Sequence, residues 1–304
     1  MTMLYKYTTC DLGLKIIDNQ SFYWSNVSSF NDPFECLYLT ENNIQTHART
    51  IAVCLSIGFP ILQTQDIGDL IEKHNNNPKI KSLSTLREVI NECHTKYMKN
   101  KTSKCYFDIE KKIYNTLIEN KEMMPDFEKV FLDNSYSNAS KKIFNKHGIL
   151  CLSESKNNIL MWSHYAKNHS GVMFELNKNK LELDQSISME KIKYQDNIPI
   201  CNYDELLGIN PSLSENKGLF EKSILIKSGS WSYEDEVRLL RKISNDDRLH
   251  PFPKESFNAI YLGCKIESEK KKEIIRKVKE TLPKTLLFQT KISNSDYKLD
   301  SYQI

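Results

Sequence analysis

Apolar residues follow two rhythms along this chain. Leu4-Tyr5-Lys6-Tyr7 and Phe22-Tyr23-Trp24-Ser25 are dense in aromatic and β-forming residues and predict short strands. Between them, Leu12 to Asn19 fits one or two helical turns, with Asp11 as N-cap. From 41 to 147 the period lengthens. Leu83, Leu86, Val89 and Ile90, then Tyr106, Ile109, Ile113 and Leu117, then Phe127, Val130 and Phe131 recur at spacings of three and four. That is helix periodicity, interrupted by polar clusters such as Asn75-Asn76-Asn77-Pro78, and it predicts four or five helices.

From Gly148 the strand texture returns. Strands are expected at Ile149–Leu152, Gly171–Leu176, Lys191–Tyr194, Trp231–Ile243, Ala259–Cys264, Leu286–Ile292 and Tyr297–Tyr302. Helices are expected at Glu215–Ile226 and Glu267–Thr281. Two β-rich stretches flanking a helical block define an α+β protein. Residues 1–40 and 148–304 form a mixed-sheet core domain, and 41–147 are a helical insertion. Two separate domains are the competing partition.

Charge changes this picture little. The 42 basic and 39 acidic residues leave a formal net charge of +3, which gives no electrostatic footprint for nucleic acid. No apolar run approaches the roughly 20 residues needed to span a bilayer. Met1 to Lys15 lacks the basic-then-apolar order of an export signal, so a cytoplasmic location is expected. The eight cysteines are scattered, without the spacing of a zinc knuckle or a redox pair, and read as reduced thiols. With nine glycines and neither a Walker nor a Rossmann glycine motif, a P-loop or Rossmann nucleotide site is not expected.

Three islands carry candidate chemistry. In Phe30-Asn31-Asp32-Pro33-Phe34-Glu35, the turn chemistry of Asn-Asp-Pro brings Asn31, Asp32 and Glu35 together. The same residues fit a structural turn capping a helix that starts near Phe34. In Leu160-Met161-Trp162-Ser163-His164-Tyr165-Ala166, followed by His169 and Gly171, Trp162, Tyr165 and Ala166 share a helical face. His164 and His169 are five apart, against the spacing of four that a metal-binding helix prefers, so no metal is assigned. The third island is Trp231-Ser232-Tyr233-Glu234-Asp235-Glu236-Val237-Arg238. On a strand, Ser232, Glu234, Glu236 and Arg238 share one face, and Trp231, Tyr233, Val237 and Leu239 the other. Two carboxylates beside a guanidinium suit acid–base work or stabilisation of a cation. A solvated strand face with a weak ion pair fits the same pattern.

Together with Leu4-Tyr5-Lys6-Tyr7 and Tyr261-Leu262-Gly263, these islands resemble a bacterial family of domains of unknown function, number 2971, in the family's order. A more distant similarity is to ADP-ribosyltransferase folds, which run from a short strand through a helix to a strand ending in Ser or Tyr, with a catalytic Glu on a later strand. Tyr5-Lys6-Tyr7, Leu12–Asn19, Trp24-Ser25 and Glu236 stand in those places, although the first strand has neither His nor Arg.

That likeness implies NAD as substrate or cofactor, with Glu234, Glu236 and Arg238 as the catalytic set. It makes Tyr5, Lys6, Tyr7, Trp24, Ser25, Asn31, Asp32, His164 and Tyr165 the binding candidates. Tyr7 or Trp24 would stack on nicotinamide, Arg238 or Lys6 would neutralise the pyrophosphate, and Glu236 would hold the ribose and its developing charge. A toxin or phage-defence effector is the setting it suggests. Two other readings stand beside it. One is a metal-dependent hydrolase or nuclease using Asp32, Glu35, His164, His169, Glu234 and Glu236. The other is a non-enzymatic sensor or interaction protein. The macromolecular or small-molecule target and the oligomeric state stay open.

Overall fold

A computed structural model describes residues 2–37, 39–40, 43–56, 78–121, 147–201, 223–243 and 247–304. In chain order its elements are β1 (Met3–Thr8), α1 (Cys10–Asn19), β2 (Ser21–Tyr23), β3 (Leu39–Thr40), α2 (Ile44–Ser56), α3 (Pro78–Lys99), α4 (Ser103–Glu119), β4 (His147–Ser153), α5 (Ile159–Tyr165), β5 (Val172–Asn177), α6 (Lys178–Leu181), β6 (Ser188–Lys191), β7 (Lys193–Gln195), β8 (Ile200–Cys201), β9 (Ile226–Ser228), β10 (Glu236–Lys242), β11 (Leu249–Pro251), β12 (Phe257–Leu262), α7 (Ser268–Thr281), β13 (Leu286–Ile292) and β14 (Leu299–Gln303). The chain divides into two compact units. The first is Met1–Cys36, Phe144–Ile198 and Ile224–Ile304, and the second is Leu37–Ile143 with Pro199–Ser223.

The first unit is built on an eight-stranded sheet in the order β14-β13-β12-β5-β1-β4-β10-β6. β12 and β13 run parallel and the other neighbours antiparallel, so the sheet is mixed and the fold is α+β. α7 supplies the crossover that parallel neighbours require.

Alternation divides the sheet into two faces. On one, Leu4, Leu150, Leu152, Phe174, Leu176, Val237, Leu239 and Ile260 join Ile17 of α1 and Ile274 and Val278 of α7 in the larger apolar core. On the other, Tyr7, Met173, Ala259 and Tyr261 pack under Met161, Trp162 and Ala166. Cross-strand register places Glu175, Tyr5, Ser153 and Glu236 in one row of this second face, on β5, β1, β4 and β10.

The second unit carries α2, α3 and α4, with β3 and β8 as a parallel pair. Leu86 and Ile90 of α3 and Ile109, Ile113 and Leu117 of α4 are buried, which is the face their spacing predicts. Thr102 caps α4 by accepting from the Cys105 N–H at 3.2 Å. Phe127, Val130 and Phe131 lie outside the described residues, as does the expected helix before Ser223.

Several local expectations are corrected. Thr9, not Asp11, caps α1, accepting from the Leu12 N–H. No helix starts near Phe34: Pro33 to Cys36 are a turn, closed by Asp32 Oδ1 accepting from the Phe34 N–H at 2.9 Å. Ile226 opens β9 instead of ending a helix. The strand expected from Trp231 begins at Glu236, because Gly229–Glu234 winds into a 3₁₀ turn and Asp235 takes a left-handed φ of 45°. Asp tolerates that region better than most residues, and Ser228 caps the turn through the Ser230 N–H. Among the described residues, no helix is long and apolar enough to cross a membrane.

Candidate functional site

The turn before β10 changes how the acidic motif works. Glu234 and Glu236 do not reach one point by sharing a strand face. Glu236 projects from the first residue of β10, whereas Glu234 is brought round by the 3₁₀ turn. Three contacts from the end of β4 and the segment after it hold that turn. Ser153 Oγ donates to the Glu234 carbonyl, Asn158 Nδ2 donates to the Tyr233 carbonyl, and the Glu154 N–H donates to the Asp235 carbonyl.

Both carboxylates meet the ammonium of Lys227, on β9. Lys227 Nζ lies 2.6 Å from Glu234 Oε2, 3.0 Å from Glu236 Oε2 and 3.7 Å from Glu35 Oε1. Arg238 closes the network from below and is 0% exposed. Its Nε donates to Glu236 Oε1 at 2.7 Å, its Nη2 to Glu236 Oε2 and Glu35, and its Nη1 to the Ile224 carbonyl. Phe30 lies 5.1 Å from the guanidinium. Three acids and two bases are thus withdrawn from water, and each has a charged partner.

Electrostatics follow from that enclosure. Burial alone would lower Lys227, but Glu236 and Glu234 outweigh it and hold the ammonium above its usual range. Burial raises the Glu236 carboxyl, with Lys227 opposing. Tyr165 donates to Glu234 Oε1, and burial followed by that carboxylate raises the phenol. Burial pushes Cys36 up to about 12 and Cys151 well above its ordinary value, with Glu236 adding to both.

An aromatic group stands over the outer side of the network. Lys227 Nζ lies 5.1 Å from the centre of the Trp231 ring, and Trp231 and Tyr233 are 6.0 Å apart. His164 is edge-on to both, and its Nδ1 is 2.9 Å from Tyr233 Oη. Trp231, Tyr233 and Tyr165 are half-buried and His164 is exposed. Glu234, through Tyr165 and Lys227, is the carboxylate in contact with this group. Glu236 is held deeper, by Arg238.

The other sequence candidates separate. Trp24 is 0% exposed and packs in the larger core near Phe252 and His250, so it presents no ring to a ligand. Tyr7 is buried edge-on to Trp162, and its hydroxyl donates to the Ser155 and Lys156 carbonyls. Lys6 reaches the Cys151 carbonyl at 2.9 Å and alternates to the sheet face opposite Tyr5 and Glu236, and Arg238 is enclosed by carboxylates, so neither is placed to meet a pyrophosphate beside Glu236. Ser25 makes a backbone bridge to Ile149. Asn31 is exposed and Asp32 is committed to its turn, while Glu35 turns inward to Arg238, so the turn does not gather the three. Tyr5 is half-buried in the row between Glu175 and Ser153.

The six residues considered for a metal do not come together as one ligand set. Glu35, Glu234 and Glu236 surround an ammonium, His164 goes to Tyr233, and His169 Nε2 lies 3.0 Å from Ser163 Oγ. Among the described residues, no three His, Cys, Asp or Glu side chains are grouped to hold a metal ion.

His169 serves the backbone instead. Lys167, Asn168 and His169 all have positive φ, a strained run. The His169 carbonyl sits where a Cβ on Gly263 would come within 2.2 Å, and a Cβ on Gly171 would stand 2.2 Å from the Thr8 carbonyl. These two glycines of the motifs are therefore packing requirements.

Sequence reasoning missed Lys227. The signal was there: a single lysine ends the apolar run Ile224-Leu225-Ile226, a few residues before two glutamates.

The fold and this buried ionic network define an α+β protein with an acidic motif at the start of β10, the strand next to the β6 edge of the sheet. Residues 161–239 match the model of a family described as protein of unknown function (DUF2971). The matched segment contains His164, Tyr165, Lys227, Glu234, Glu236 and Arg238. No curated protein and no solved structure matches the chain.

Proposed function

We propose that this chain is an ADP-ribosyltransferase-like enzyme that cleaves the nicotinamide–ribose bond of NAD. One observation carries the reading: two carboxylates, Glu234 and Glu236, converge on Lys227 directly beneath the half-exposed rings of Tyr165, Trp231 and Tyr233. Breaking that bond sends the electron pair out with neutral nicotinamide and leaves an oxocarbenium-like ribose. A fixed carboxylate in a water-poor site stabilises such a cation, and water or a target nucleophile then takes C1′ and loses its proton.

Glu234 is assigned to the developing charge because it touches the aromatic group. Glu236 becomes a positioning residue: clamped by Arg238, it fixes Lys227, which fixes Glu234. The stacking role moves from Trp24 and Tyr7, which are buried, to Trp231 and Tyr233. A bacterial toxin or phage-defence effector suits this chemistry. The free cysteines among the described residues, Cys10, Cys36, Cys93, Cys105, Cys151 and Cys264, suit a reducing cytoplasm.

The test is nicotinamide release from NAD, followed chromatographically. Wild type releases it, and Glu234→Gln slows release about 100-fold, in keeping with the loss of one electrostatic stabiliser. No release by wild type, or equal release by the variant, overturns the reading.

A second reading, a non-enzymatic sensor or interaction protein, is favoured by the internal pairing of every charge in the network. On that reading Glu234→Gln lowers stability and alters no reaction.

A further inference from the structure

The second sheet face carries another polar cluster in the same row. Glu175 is buried three strands from Glu236, about 14 Å away at the usual strand spacing. Asn258 donates to one of its oxygens, and Tyr261 Oη donates to the other at 3.1 Å. Lys156 Nζ lies 3.1 Å from Glu175 Oε2, donates to Tyr261 Oη at 2.6 Å and sits 4.5 Å over the Tyr261 ring. Phe288 stacks on Tyr261 with the ring centres 4.7 Å apart.

One short segment joins the two clusters. Ser153, Glu154 and Asn158 hold the Tyr233–Asp235 turn, while Ser155 and Lys156 are pinned by Tyr7 between them.

Counting donors shows what the second cluster has left to offer. Glu175 already accepts from Asn258, Tyr261 and Lys156, and Tyr261 donates to Glu175 and accepts from Lys156. An ammonium has three N–H donors, and two are used. The Tyr5 hydroxyl, in the same row and within the field of Lys156, Glu175 and Tyr261, makes no hydrogen bond among the described residues. Lys156 has 38% of its side chain exposed. Two unspent donors, one on a part-exposed ammonium and one on half-buried Tyr5, therefore stand beside a saturated carboxylate.

We propose that Lys156 and Tyr5 form an oxyanion subsite on this face, taking the phosphate oxygens of a nucleotide diphosphate. The assignment deepens the NAD-cleaving reading, since it supplies the pyrophosphate contact that the enclosed Arg238 does not. It can nevertheless stand or fall separately.

Calorimetric titration of the full chain with inorganic pyrophosphate and, in parallel, ADP-ribose tests it. Wild type binds both, more weakly as salt rises. Lys156→Met weakens both about tenfold, as expected for one charge-assisted contact, and Tyr5→Phe weakens both by a smaller factor. Lys156→Arg retains binding, and Lys279→Gln, on the exposed side of α7, behaves as wild type. Tyr5→Phe removes a single hydroxyl, so it decides the matter if Lys156→Met does not fold. Failure of wild type to bind either probe, or binding by Lys156→Met and Tyr5→Phe equal to wild type, overturns the subsite. Lys156-dependent pyrophosphate binding without NAD cleavage upholds the subsite and removes the enzyme reading. NAD cleavage with an unchanged KM in Lys156→Met does the reverse.

Discussion

Lys227 and Glu234 face each other at 2.6 Å, with both side chains withdrawn from water. Between them they hold the turn side and the strand side of the site together, because the same ammonium also reaches Glu236 at 3.0 Å and Glu35 at 3.7 Å. Arg238 neutralises the far side of that acidic group, so Lys227 is the cation that the near side depends on.

Replacing Lys227 by Met is therefore expected to destabilise the protein by about 3–5 kcal/mol, the usual effect of leaving a buried charge without its partner. Urea denaturation measures it. The double variant Lys227→Met, Glu234→Gln should recover part of the loss, since it removes one of the uncompensated charges. Additive losses in that cycle would falsify the coupling.

A second prediction concerns Gly263. A Cβ there would meet the His169 carbonyl at 2.2 Å, and that carbonyl is fixed by accepting from the Lys265 N–H at 3.0 Å. Neither backbone can move aside cheaply. Gly263→Ala should cost about 1–3 kcal/mol, as other forced overlaps in packed regions do. A melting temperature equal to wild type would show that the junction of β5 and β12 is looser than the distances imply.

The strands that were legible in the sequence are those in which side chains decide the matter. Ile149–Leu152, Gly171–Leu176, Ala259–Cys264 and Leu286–Ile292 are apolar runs that fall on β4, β5, β12 and β13. The run from Trp231 was less legible because backbone conformation decides it: one left-handed residue, Asp235, separates turn from strand without disturbing the alternation. That alternation put Glu234 and Glu236 together for a reason the structure does not use. Lys227 was hidden by the expected helix over Glu215–Ile226. Glu175 was visible as a lone carboxylate within Val172-Met173-Phe174-Glu175-Leu176, but its partners Lys156 and Tyr261 are remote in sequence.

His169 leads to a pH prediction. Burial first, and Lys265 second, hold its imidazole below the ordinary 6.5, and its buried Nδ1 has no hydrogen-bond partner among the described residues. The unfolded chain therefore takes up a proton near pH 6.5 that the folded one resists. The stabilising contribution is present above that pH and is lost as pH falls through 6.5 toward the folded value. His169→Gln can keep the contact to Ser163 and does not titrate. Urea midpoints at pH 7.5 and 5.5 should fall more for wild type than for the variant, and equal falls would remove His169 as the cause.

The last prediction separates two tryptophans that looked alike in sequence. Trp24 stands in the larger core with Phe22 and Phe252 beside it, whereas Trp231 is half-buried over Lys227. Trp24→Phe leaves a cavity and should cost about 2 kcal/mol of stability, while the KM for NAD stays unchanged. Trp231→Ala removes a ring from the face that the proposed site presents. It should raise that KM about tenfold, consistent with the loss of one base-stacking contact, and shift the melting temperature less than Trp24→Phe does. Measuring both quantities on both variants assigns the binding ring. If Trp24→Phe moves KM and Trp231→Ala does not, the aromatic group over Lys227 is not where the substrate rests.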